Sequence, residues 1–395
     1  MMKRALLLAT LALSQSAVAN EMNQFWQDST YKWNFRYRLE NVQPEGPLKD
    51  ALASTLRSRL TVNTGKWTLG NHRQISALIE ADHVALLGGE NYNNTVNGLT
   101  QYGTIADPDG LDLNQAAFLI NATDSSLITL GRQRLNLDNQ RFIGSVGWRQ
   151  NEQTFDGFRL NQQFGSNIQL DVASLHNANR VFGPDGPNAD LHGRFNLAQA
   201  QWTVKPEHVL QAYLYDLNFD TLSARSSATK GIDYKGALQN LKWQFAYANQ
   251  QDAHRAPSNY QIDYHRVELS YQMSPITIKG TIERLGSDGK VAFQTPFATL
   301  HAYNGFADMF LTTPTNGLRE QAVQIAFPLL KAKGAVSWHR FQSDVTRIHY
   351  GNEIDASLAY ELNSEWQILS KIAFYSADKL HTDTRKYWLM LTYQP

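Results

Sequence analysis

The sequence predicts an all-β fold: a single transmembrane antiparallel β-barrel of 18 strands, with short periplasmic turns and long extracellular loops. Three observations predict it. A short apolar leader opens the chain. Apolar and charged residues then alternate in segment after segment. The connections between those segments sort into short and long along the 395 residues.

The leader reads as a secretory signal over residues 1–19. Lys3 and Arg4 supply the positive start, Ala5 to Leu13 the apolar stretch, and Ala17-Val18-Ala19 the small-x-small cleavage site, so the exported chain is expected to run 20–395. The apolar stretch is well short of the about 20 residues a membrane helix needs. No Cys follows the site to carry a lipid anchor, and charges or amides interrupt every later apolar run. An exported chain without membrane helices is either soluble or a barrel, and composition favours the barrel. There is no Cys despite the disulfide-permissive route, while 9 Trp, 17 Tyr and 18 Phe suit aromatic girdles. Lys and Arg balance Asp and Glu at 36 each, which gives no electrostatic case for binding nucleic acid. No Pro- or Ser-rich linker divides the chain into domains.

The first segment shows the pattern most clearly. From Tyr31 to Glu40, Tyr31, Trp33, Phe35, Tyr37 and Leu39 alternate with Lys32, Asn34, Arg36, Arg38 and Glu40. Successive strand residues face opposite ways, so one face is wholly apolar and the other wholly polar. A Lys or Arg facing lipid costs roughly 2–4 kcal/mol at the midplane, so the polar face must meet a wet interior. Comparable alternation predicts strands at 31–40, 55–64, 74–83, 114–122, 126–134, 152–163, 167–175, 193–203, 207–217, 220–230, 239–248, 262–273, 275–284, 319–328, 332–342, 347–361, 365–376 and 384–393. One such run also fits a soluble sandwich. The set does not, because its polar faces repeatedly hold charges that a packed core rejects.

With a periplasmic N-terminus, the turns after even-numbered strands are short, as at Ala122–Ser126, Phe164–Asn167, Met273–Pro275 and Pro328–Ala332. The exceptions are Gly65–Arg73 and Gly231–Leu238. The long connections all follow odd-numbered strands: Val84–Leu113, Leu135–Asn151, His176–His192, Asn249–Gln261 and Leu285–Leu318. Sixteen to 18 strands enclose an aqueous channel. The last segment, with Tyr387, Leu389, Leu391 and Tyr393 on one face, resembles the signal read by the outer-membrane insertion machinery, although Gln394 and Pro395 follow it. The expected place is the outer membrane of a Gram-negative bacterium, with membrane lipid, lipopolysaccharide and that machinery as partners.

Two regions carry a family resemblance. One runs through Gly131-Arg132-Gln133-Arg134-Leu135, Gly147-Trp148-Arg149-Gln150-Asn151 and Phe155-Asp156-Gly157-Phe158-Arg159-Leu160. The other runs from Thr299 to Asp308, then through Phe310-Leu311-Thr312-Thr313-Pro314 to Gly317-Leu318-Arg319. Both are similar to the alginate-export family of outer-membrane channels. The resemblance implies an 18-stranded barrel, and in the family's namesakes an acidic polysaccharide passing a pore lined with cations.

The candidate pore-lining cations are Lys32, Arg36, Arg38, Arg57, Arg59, Arg132, Arg134, Arg159, Arg266 and Lys279. Guanidinium groups bind carboxylates bidentately and so favour uronate-type solutes. The alternative is that they pair with wall acids, among them Glu80, Asp82, Glu268 and Glu283. Arg36, Arg38, Arg57 and Arg59 carry most weight, because the first two strands hold five inward cations against Glu40 alone. Arg132 and Arg134 share parity with Ile128 and Leu130, so a bulge is needed to turn them inward. The 285–318 loop, with Phe297, Tyr303, Asn304, Phe306 and Asp308, is expected to fold in as a constriction whose rings stack on sugars; a self-packed surface loop is the alternative. Asp107, Asp109 and Asp112 around Gly110 faintly suggest calcium, but the spacing and closing Glu are missing and a plain turn accounts for them. No Gly-x-Ser-x-Gly or His-Glu-x-x-His motif points to catalysis, and no cofactor is implied.

These features predict a passive channel for anionic sugars or oligosaccharides. Export of an acidic polysaccharide is the alternative, and an adhesive barrel or an outer-membrane enzyme stands behind both.

Overall fold

A computed structural model describes residues 23, 25–69, 73–186 and 188–395. The leader and its cleavage site lie outside these. Nineteen strand segments follow in chain order: β1 Thr30–Pro44, β2 Ala51–Asn63, β3 Trp67–Leu69, β4 Arg73–Leu86, β5 Gly110–Thr123, β6 Ser126–Gln133, β7 Thr154–Phe164, β8 Ile168–Asn179, β9 Asp190–Lys205 and β10 His208–Phe219; then β11 Ser227–Leu238, β12 Leu241–Asp252, β13 Gln261–Met273, β14 Ile276–Leu285, β15 Leu318–Leu329, β16 Ala332–Gln342, β17 His349–Glu361, β18 Trp366–Ala377 and β19 Thr384–Tyr393. Because β2 and β3 both pair with β4, they are two parts of one stave, and the barrel has 18. Every neighbouring pair is antiparallel. The sheet closes where β1, already paired with β2, also pairs with β19, setting Tyr37 opposite Leu391. Closure pairs every full-length strand among the described residues on both sides, while the three-residue β3 pairs with β4 alone.

The alternation becomes two surfaces. Trp33, Phe118, Leu214, Ile282 and Ile354 are exposed on the outside, while Arg38, Glu40, Glu283 and Glu353 are buried within. An apolar exterior around a charged interior inverts a soluble core and matches a barrel whose outer band faces hydrocarbon.

One stave differs from expectation. The chain was expected to form a strand at 220–230 and a turn at 231–238. Instead 220–226 is a loop containing a short 3-10 turn, Ser223–Arg225, and β11 runs through the expected turn. Gly231 and Gly236 look like turn residues in sequence. In the barrel the Tyr213 and Trp243 rings occupy the space where their Cβ atoms would stand, so each glycine gives room to an aromatic ring within the sheet. The turn that remains between β11 and β12 is two residues, 239–240. The other expected long turn, Gly65–Arg73, is partly strand β3, and residues 70–72 lie outside the described set.

Candidate functional site: an occluded lumen

Three long connections, 87–109, 134–153 and 286–317, turn into the barrel and meet there. The last two form a parallel bridge between Ile143 and Phe297. The Gly144 amide donates to the Phe297 carbonyl at 2.8 Å, and Gln153 Nε2 donates to the same oxygen at 3.0 Å. The inward loop expected at 285–318 is therefore half of a two-loop obstruction.

The cations of the first staves are engaged in holding these loops. Arg36 donates to Gln150 Oε1 at 3.0 Å and to the Gly147 carbonyl at 2.9 Å. Arg38 pairs with Asp107 at 2.9 Å and lies 4.3 Å from the Trp148 ring. Arg59 clasps Asp82 through two nitrogens and reaches Glu152 at 2.7 Å. Arg57 donates to Asn34 at 2.6 Å and stands 3.8 Å from Glu152. Arg134 pairs with Glu80 at 2.8 Å and with Glu152. Lower on the wall, Arg159 binds Asp171, Arg266 pairs with Glu268 at 2.7 Å, and Lys279 is 3.7 Å from Glu268. Lys32 is exposed and forms no ion pair among the described residues. For most candidate cations, then, the pairing alternative describes the geometry, since an unpaired charge in so dry a place is costly.

One expectation needs correction. Arg132 does not face the lumen. It follows the exposed Leu130 by two residues, lies in register opposite Asp156, and closes on that carboxylate at 2.9 Å. No bulge turns it inward, whereas Arg134 lies past the end of β6 and is free to turn. Asp107, Asp109 and Asp112 do not converge as a cation site. Asp107 is spent on Arg38 and the Gln150 amide, Asp112 is nearest Arg132, and no cluster of three potential ligands occurs among the described residues.

The constriction loop is held at several points. Phe297 is fully buried among Phe155, Phe195 and Phe219, with ring centroids 5.3, 4.9 and 5.5 Å away, so it anchors the loop and cannot stack on a sugar. Asn304 donates to Glu283 at 2.7 Å and to Glu320 at 2.8 Å. Tyr303 lies against Arg141 and donates to the Asn139 carbonyl at 2.5 Å. The Phe306 and Ala307 amides donate to Asp355 and Glu353. Asp308 accepts from Arg149 at 3.3 Å and from His301 at 2.8 Å.

Residue spacing gave no sign of several central groups. Arg141 clasps Glu283 at 2.8 and 3.0 Å from the opposite loop. Lys371 stands 3.2 Å from the Phe306 ring and 4.2 Å from Trp148, and donates to His301 Nε2 at 2.6 Å. Burial, with Lys371 and Arg149 adding to it against the pull of Asp308, pushes the His301 imidazole down to about 3. It is neutral, accepting at Nε2 and donating from Nδ1. Glu152 is held charged instead: burial opposes its ionisation, but Arg59, Arg134 and Arg57 lower it to about 2. Arg149 and Trp148 do stand in the family-like Gly147–Asn151 motif, which was the available signal.

Open space lies on both sides of His301. Towards the long loops a cavity of about 570 Å³ is lined by Arg149, Arg180, Arg225 and Lys386 with Asp308 as its one carboxylate. Towards the short turns a pocket of about 80 Å³ is lined by Arg266, Lys279, Thr281, Glu320 and His339. Arg149 and Lys386 both approach Asp308, but Arg180 and Arg225 form no ion pair among the described residues. Burial, together with the Arg225 cation, pushes Arg180 down to about 10.

A closed 18-stave barrel whose polar bore is narrowed by inward loops is the architecture of a porin-type channel. The sequence matches the family model for alginate export over residues 60–282, more than half of the chain, and the protein belongs to that family. Its fold is similar to OccAB4 of Acinetobacter baumannii, with a TM-score of 0.75 and 12% identity over 93% of this chain and 98% of that one. It is similar also to OccK9 (OpdG) of Pseudomonas aeruginosa, with a TM-score of 0.72 and 13% identity over 94% and 99%. A third is a BenF-like porin from Pseudomonas fluorescens Pf-5, with a TM-score of 0.74 and 13% identity over 94% and 99%. No curated protein matches the sequence.

Proposed function

We propose that the protein is an outer-membrane channel that passes anionic polar solutes, of the uronate or oligosaccharide kind, by diffusion. Membership of the alginate-export family and the apolar outer band support the membrane placement, with the long-loop end outside. The single observation that carries the anionic preference is Arg180 and Arg225 in the outer cavity, neither in an ion pair among the described residues. An unpaired guanidinium attracts carboxylates, whereas one already clasped by an acid does not. Thr104, Asn188, Gln294 and Thr312 on the same wall offer hydroxyl and amide groups to a sugar. The selectivity therefore rests on Arg180 and Arg225 at the mouth, while Arg36, Arg38, Arg57 and Arg59 below them hold the loops.

The test is planar-bilayer conductance with ion selectivity and block by oligouronates. The wild type should prefer anions, and R180Q/R225Q should lose most of that preference while still forming channels. Cation preference in the wild type refutes the anionic reading. The family's description favours a second reading, export of an acidic polysaccharide; block by long uronate chains from the short-turn side, but not the other, distinguishes it.

A further inference from the structure

The outward surface carries a charged row that the lumen does not use. His265, Arg284, Arg319 and Gln342 fall on one rung across four neighbouring strands, β13 to β16. Arg340 lies two residues below Gln342, opposite Gln321. Glu283, Leu285, Leu318, Glu320 and Phe341, which alternate with these residues, are all buried on the inside. The three arginines therefore point outward.

Two arginines set directly opposite each other repel. Both lean on one carboxylate, Asp344 in the 343–348 loop, each with a contact of 2.7 Å. The other acid nearby, Asp263, is taken by Asn249 at 2.9 Å and Tyr247 at 2.8 Å. Arg284 and Arg319 keep side-chain exposures of 29% and 31%, and Arg340 forms no hydrogen bond or ion pair among the described residues. Towards the short-turn end the outward residues become Ile282, level with Gln321 and Arg340, and then Val323 opposite Trp338, and all three apolar side chains are exposed. The row thus lies at the upper edge of the apolar band.

We propose that this row docks the phosphorylated headgroup of an outer-leaflet glycolipid, lipopolysaccharide, whose acyl chains run down over Ile282, Val323 and Trp338. The inference rests on the membrane placement given above, with the long-loop end outside. Guanidinium groups recognise phosphate through paired N–H donors, and the row has more donors than its one shared carboxylate accepts. At the edge of the band an arginine costs far less than at the midplane, so the charges are tolerated there. Basic clusters bordering a membrane span are a recurrent way of holding anionic lipid headgroups. A free phosphate would gain nothing from the apolar half of the surface.

The experiment uses the full chain in detergent and measures thermal unfolding and binding with lipopolysaccharide, with the same lipid dephosphorylated, and with inorganic phosphate. Lipopolysaccharide should raise Tm, and R284Q/R319Q/R340Q should bind it at least tenfold more weakly. Dephosphorylated lipid and free phosphate should give little shift. Equal binding by the variant, an equal shift from dephosphorylated lipid, or a full shift from phosphate alone overturns the proposal. Should the triple variant not fold, R340Q answers alone, because Arg340 forms no hydrogen bond or ion pair among the described residues; it should weaken binding about threefold, and unchanged binding overturns the proposal. Channels that form in planar bilayers while lipopolysaccharide has no effect defeat this inference alone. Failure of the wild type to insert into bilayers defeats the membrane placement as well.

Discussion

Replacing Phe297 with Ala should release the 286–317 loop from the barrel wall without unfolding the barrel. The ring is fully buried against Phe155, Phe195 and Phe219, one from each of three wall strands. Truncating a buried Phe to Ala costs about 3–5 kcal/mol, from lost transfer energy and the cavity left behind. The Phe297 carbonyl keeps its bonds from Gly144 and Gln153, so the perturbation isolates side-chain packing. At about 1.4 kcal/mol per tenfold, the loop's open-to-closed ratio should rise by roughly two to three and a half orders of magnitude. Hydrogen exchange of amides in 286–317 reads this directly, with single-channel current as the functional counterpart. F297A should exchange faster there and show larger or noisier currents, while amides in β7, β9 and β10 keep their protection. Leu330→Ala, at a residue 98% exposed in a short turn, is the control. Unchanged protection of 286–317 in F297A would refute the anchoring role and restore a loop held by polar contacts alone.

Other outcomes follow from the same geometry. R141Q should destabilise the junction by about 3–5 kcal/mol, because Glu283 would remain buried with its closest cation gone; a double-mutant cycle with E283Q should recover most of the loss, and additive effects would count against the pairing. Glu152 is ionised well below its unfolded value of about 4.3, so its stabilisation is complete above that pH and is lost as pH falls towards 2. Acid should therefore loosen 134–153 in the wild type, and E152Q, already loosened at neutral pH, should show a flatter acid response by hydrogen exchange. K371M removes a cation that lowers the His301 pKa, so that pKa should rise from about 3, as read by NMR titration; no movement would mean burial alone sets it. Neutralising Arg36, Arg38, Arg57 and Arg59 together should raise conductance and lower loop protection more than it changes ion selectivity. A clean loss of anion preference at unchanged protection would return those residues to a solute-binding role.

The fold was largely legible along the chain. Alternation such as Tyr31 to Glu40 reports the two faces of a strand because the pleat has a period of two and the lipid face rejects charge. The sorting of short and long connections set the direction of the staves. The one misplaced stave, 227–238, has a physical cause: its glycines are required by Tyr213 and Trp243 on neighbouring strands, and a requirement made by a neighbour leaves no mark in local spacing. The site was legible only in part. Parity cannot say whether an inward arginine meets water or a carboxylate from a loop dozens of residues away, as Arg38 meets Asp107 and Arg59 meets Glu152.

The sequence by itself determined the barrel and its inside and outside, because both follow from local periodicity and from the cost of exposing charge to lipid, while the inward folding of 285–318 stayed one of two alternatives. Only the tertiary structure decided which charges are spent and which remain. Arg36, Arg38 and Arg59 are tied to the 87–109 and 134–153 loops, Arg180 and Arg225 form no ion pair among the described residues in the outer cavity, and Arg284, Arg319 and Arg340 gather outside. Pairing depends on distances between segments far apart in the chain, and closure of the sheet is what brings those segments together.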